Sequence, residues 1–180
     1  MSVPAGSAEI VSLVERNPEM SAADLLEHFT PPAQFENASL DNYVPDPAYP
    51  SQTEALESVK QFAVGGSFRP AKKTLFGKKK ASSGERPGLY LDGGFGVGKT
   101  HLLAALWHQT PGRTYYGTFI EYTALVGALG YQGTVQHLTG ADFLAIDEFE
   151  LDDPGDTMVM SRLLGELVAT GTRLAATSNT

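Results

Sequence analysis

No stretch restricts the fold of this chain as tightly as residues 89–100, LYLDGGFGVGKT. A short apolar strand runs into Gly93-Gly94-Phe95-Gly96-Val97-Gly98-Lys99-Thr100, and an apolar-periodic helix follows. The spacing matches G-x-x-x-x-G-K-[ST], a phosphate-binding loop. Glycines let successive backbone N–H groups turn inward around an anion. The loop ends at a helix N-terminus, whose unpaired donors and partial positive charge favour a phosphate. Lys99 is expected to reach the β- and γ-phosphates of a nucleotide, and the Thr100 hydroxyl to be a Mg²⁺ ligand. His101, next along the helix, is grouped with the nucleotide-binding residues by position. His101 and His108 otherwise read as structural, because no third ligand stands at metal spacing.

The 180 residues fit one domain with a real hydrophobic core. A formal charge of −8 argues against wholesale binding to nucleic acid or an anionic membrane. Without cysteine, disulfides and thiolate metal sites are excluded. The N-terminus lacks the basic start and apolar run of a secretory signal, and nothing approaches a membrane span, so a cytoplasmic protein is expected.

Residues 1–32 read as an N-terminal helical extension, one amphipathic helix over 7–16 and a second starting at a capping box, Ser21 to Asp24. The core then occupies 33–180. Its first part, 34–50 (QFENASLDNYVPDPAYP), should run extended over the surface, pinned by Phe35, Tyr43 and Tyr49. A helix opening on a capping box from Ser51 to Glu54 should carry Leu56, Val59 and Phe62 inward and lie beside the nucleotide. By position, Tyr43 and Gln52 are the candidates for the base pocket. Seven of the thirteen Lys and Arg residues fall within the insertion 65–86. It reads as a solvated flexible insertion, or alternatively as an arm that grips an anionic partner, with Phe68 and Phe76 available for stacking.

Beyond the loop helix, 113–118 suits a second strand, with helices at 119–129 and around 135–138. Then comes DFLAIDE, residues 142–148. A near-continuous apolar run is how a buried parallel strand reads, and acids at its C-terminal end face the crevice where open α/β sheets bind ligands. This resembles a Walker B element. Asp147 is expected to hold Mg²⁺, and Glu148 to orient and polarise the attacking water. Asp152, Asp153 and Asp156 read as turn formers and caps of the next helix. The final strand, RLAATSNT, ends at Asn179, placed to hydrogen-bond the γ-phosphate or the water, the sensor-1 role of AAA+-type ATPases.

These stretches together resemble a specific family, the ZapE-type cell-division ATPases of bacteria and their mitochondrial AFG-like relatives. The likeness rests on FENASLDNYVPDPAYPSQ, GLYLDGGFGVGKTHLLAALWH, GTFIEYTALVGAL, LAIDEFELDDPGD and RLAATSNT, from Phe35 onward. It implies an α/β P-loop NTPase fold of AAA+ type, a parallel sheet flanked by helices. It further implies Mg²⁺-dependent hydrolysis of ATP, action on the division protein FtsZ, and a hexameric ring. Sheet order would be 5-1-4-3-2. Set against the family, this chain looks C-terminally shortened, lacking the fifth strand, the lid and the arginine finger. An arginine finger is worth about 10³–10⁵ in rate, so weak hydrolysis is expected from these residues alone, as is an exposed, association-prone P-loop strand.

A different class of function fits the same core: a helicase-loader-like ATP switch that binds single-stranded DNA through the basic insertion. A small-molecule kinase fits less well, since Asp147-Glu148 and Asn179 suit water activation. GTP is disfavoured because no Asn-Lys-x-Asp motif occurs.

Overall fold

A computed structural model describes residues 21–65, 87–150 and 153–179. The expected helix over 7–16, nearly all of the basic insertion and Asp152 lie outside the described residues. Helices α1 (Ala22–Glu27) and α2 (Pro50–Val64) precede β1 (Gly88–Asp92). Then α3 (Lys99–Gln109), β2 (Thr114–Thr118), α4 (Phe119–Leu138), β3 (Phe143–Asp147), α5 (Pro154–Ala169) and β4 (Arg173–Ser178) follow. The four strands are parallel in the order β1-β4-β3-β2. This is the expected order for the strands present, with β1 and β2 at the edges among the described residues.

Strand β3 shows why the sheet forms where it does. All five of its residues are buried. Phe143 and Ala145 face a core layer with Leu56, Val59, Leu103 and Leu106. Leu144 and Ile146 face the opposite layer with Tyr122, Leu125, Met160, Leu163 and Leu167. A strand covered on both faces needs apolar residues at every position, which the FLAI run supplies. Helix α3 is also buried beyond one stripe: Leu102, Leu103, Ala104, Ala105 and Leu106 are all inside, because the sheet, α2 and the 3₁₀ turn Ala33–Phe35 all pack on it.

Several local expectations meet their residues. Ser21 and Asp24 form the capping box of α1, and Asp153 caps α5 through the Asp156 N–H at 2.9 Å. Others need correction. Helix α2 has no Ser51 to Glu54 capping box; Tyr49 is its N-cap without a side-chain bond, and Pro50 takes the first turn. A proline there already fixes φ and has no N–H to satisfy. Tyr49 is 60% exposed rather than pinned. The two helices after β2 run as one element broken at Gly130 (φ 70°, ψ 161°), a left-handed break that glycine adopts at no steric cost. The second segment begins earlier than the apolar pattern indicated.

Candidate functional site

The glycine loop turns from β1 into α3, with Gly93, Gly96 and Gly98 at positive φ. Gly98, at φ 89°, is the N-cap of α3. A Cβ there would sit 2.5 Å from the Tyr43 ring, so both backbone and packing exclude a side chain. The Lys99 amine donates to the carbonyls of Gly93 (2.6 Å) and Gly94 (2.7 Å). That holds it over its own loop with one of three donors to spare. The loop separates two clefts. One, about 320 Å³, is lined by Phe95, Gly96, Gly98, Thr100, His101, Asp147, Glu148, Thr177 and Asn179; the other, about 420 Å³, by Tyr43, Gln52, Gly93, Gly94 and Val97. Lys99 lines both.

At the C-terminal tips of the strands, four donors converge on the buried Asp147. The Thr100 hydroxyl donates to its Oδ1 at 3.3 Å, bridging 47 residues of sequence. The Tyr116 phenol donates to Oδ2 at 2.7 Å, the Glu148 N–H to Oδ1 at 3.2 Å, and the Thr177 hydroxyl to Oδ1. Burial, then the Asp147 carboxylate beside it, push the Tyr116 phenol well above its ordinary range, so it stays a proton donor. Thr177 also accepts the Glu148 N–H at 3.0 Å. The Glu148 backbone is left-handed, with φ 52°, while its side chain is exposed to the cleft. Beside Asn179, Ser178 donates to Asp92 Oδ1 at 2.7 Å and ties the β4 tip to the start of the glycine loop.

The segment before α2 straps across this end of the molecule. The Tyr43 hydroxyl donates to the Val97 carbonyl in the glycine loop at 2.8 Å, and its ring lies 5.7 Å from that of His101. His101 Nε2 donates to the Ser39 carbonyl and His108 Nε2 to the Phe35 carbonyl, both at 3.0 Å. The two histidines thus fasten the strap to α3. Gln52 accepts the Asp46 N–H at 2.8 Å, closing the strap onto α2.

A family model described as AFG1-like ATPase matches residues 20–180. The chain belongs to the AFG1-like ATPase family. Cell division protein ZapE of Escherichia coli strain K12 is 30% identical over 177 residues, covering 86% of this chain and 47% of the relative. The chain therefore spans about half the length of the relatives it matches. Among solved structures, the replication initiator DnaA bound to AMPPCP and single-stranded DNA superposes with TM-score 0.60 at 16% identity, covering 81% of this chain and 42% of that one. The DnaC helicase loader superposes at 0.59 and 19% identity, covering 83% and 80%. At these identities the likeness is one of fold. Within the AFG1-like chain, sequence reasoning missed Tyr116 and Thr177, the two residues that grip Asp147 from neighbouring strands. Neither stands in a motif; only the sheet register, with Thr118 opposite Asp147 and Ile146 opposite Ala176, brings them there.

Proposed function

We propose that this chain is the ATP-hydrolysing core of a protein-remodelling ATPase. The observation that carries this reading is the meeting of the Thr100 hydroxyl and the Asp147 carboxylate, 3.3 Å apart, beside Lys99. The residues fit a magnesium–triphosphate. Thr100 and Asp147 offer two oxygen donors, and Mg²⁺ is characteristically held by one or two protein groups plus substrate phosphates. When bound, Mg²⁺ neutralises phosphate charge and fixes the geometry of the transferring group.

The chain's own residues would divide the work. Backbone N–H groups from Gly94 to Thr100 bind the phosphates, and Lys99 adds its charge at the β- and γ-positions. Thr100 and Asp147 hold the metal. Glu148 orients water and accepts its proton, and Asn179 steadies the γ-phosphate or that water. The cleft of Tyr43 and Gln52, on the other side of Lys99, is the place for the base. His101 acts indirectly, by fastening the strap.

The name of the bacterial relatives, cell division protein, supports a partner in the division machinery; the proposed partner is FtsZ filaments, and the proposed working form is a hexamer in the cytoplasm. Among the described residues no helix is long and apolar enough to cross a membrane. The seven basic residues within 65–86 favour a second reading, a switch on single-stranded DNA. ATP turnover of the intact protein, alone, with FtsZ and with single-stranded DNA, separates them. FtsZ stimulation with no DNA response is the expected result. A DNA affinity that falls with salt and is lost when Lys78, Lys79 and Lys80 are neutralised would replace the filament reading with the second one.

A further inference from the structure

Three consecutive residues at the acid tip, Asp147, Glu148 and Phe149, are each held by the same residue of another strand. Thr177, on β4, is 2% exposed. Its hydroxyl donates to Asp147 Oδ1 and accepts the Glu148 N–H at 3.0 Å. Its carbonyl accepts the Phe149 N–H at 2.7 Å. A threonine hydroxyl has one proton and two lone pairs, so this one group can both donate to the carboxylate and receive the amide. Valine, of the same shape, can do neither.

The Glu148 backbone makes that arrangement consequential. Left-handed φ is uncommon outside glycine and persists only where the surroundings enforce it. Glu148 is the one non-glycine residue at positive φ among the described residues. In the observed turn its amide points back to Thr177 and Asp147 while its side chain faces the cleft. If the backbone returned to the β region, the carboxylate would leave its position. We propose that Thr177 is a positioning residue: a latch from β4 that orients the Asp147 carboxylate and holds Glu148 in the conformation that presents its side chain to the cleft. Ser178, the next residue, reaches the other way, to Asp92. The β4 tip therefore stands between the acid pair and the glycine loop and sets their separation.

This inference builds on the ATPase reading, but its first test needs no nucleotide. Amide hydrogen exchange of the intact, nucleotide-free protein would be followed by NMR for the wild type, Thr177→Val and Thr177→Ser. In the wild type, the Glu148 amide should exchange as slowly as those of β3, although Glu148 is an exposed residue. In Thr177→Val its exchange should accelerate at least about 10-fold while the amides of residues 144–146 stay slow. Thr177→Ser should restore the wild-type pattern. In single-turnover assays, the valine variant should lose about 10–100-fold in hydrolysis rate, the cost of a misplaced catalytic group, with ATP affinity changed less than about 3-fold. Serine should recover the rate.

A fast Glu148 amide in the wild type overturns the latch without any variant having to fold. So does exchange that rises uniformly through β3 and β4 in Thr177→Val, which would mark simple destabilisation. Equal loss of rate in the valine and serine variants overturns it too. A wild type that shows the exchange pattern but neither binds nor cleaves ATP would instead sink the ATPase reading and leave the latch standing.

Discussion

The two halves of the candidate site are built by different means. The glycine loop is made locally: a strand, six residues and a helix start, with shape supplied by positive-φ glycines at 93, 96 and 98. The acid tip is made at a distance. Asp147 and Glu148 end β3, but Tyr116 on β2, Thr177 on β4 and Thr100 on α3 set where they sit. A locally built site carries its instructions in adjacent letters. A site assembled across strands depends on the register of the whole sheet.

The contrast can be broken open by substitution. Glu148→Gln should cut ATP turnover by about 10²–10⁴-fold, the usual contribution of a general base, while nucleotide binding persists; unchanged turnover would remove Glu148 from the chemistry. Lys99→Ala should act on the other half, lowering nucleotide affinity by about 100-fold or more. That is the worth of two hydrogen bonds to charged groups at about 1.5–3 kcal/mol each, and titration with a fluorescent ATP analogue checks it. Gly98→Ala should destabilise the fold by about 1–3 kcal/mol in chemical denaturation, since it forces a left-handed alanine against the Tyr43 ring. Adding Tyr43→Ala should recover only the contact part, and full recovery would show that backbone conformation contributes nothing. The smallest effect belongs to a helix cap. Asp153→Ala, which uncaps α5, should cost about 1 kcal/mol, or about 2–4 °C in Tm for a domain of this size.

The same contrast explains what could be read beforehand. The loop was legible because each glycine answers a local demand, and β3 because a strand covered on both faces must be apolar throughout. The strand order followed from the family likeness. Asp153 and Ser21 were legible as caps because a cap satisfies the amide three residues on. Tyr116 and Thr177 were not, since a tyrosine or threonine in a strand is ordinary by composition and gains its meaning only from its neighbour's register. The capping box at Ser51 to Glu54 misled for a related reason. Its residues have the right spacing, but Pro50, one residue earlier, is already the first residue of the helix.

The strap gives the molecule an internal optical gauge. Trp107 is the sole indole in the chain. It sits partly buried on α3, its ring 5.1 Å from that of His108, and His108 is tied to Phe35 in the strap. The far end of the strap rests on the glycine loop through Tyr43. Movement of that loop as a ligand arrives would therefore alter the surroundings of the lone tryptophan, and its emission could follow occupancy without any attached dye.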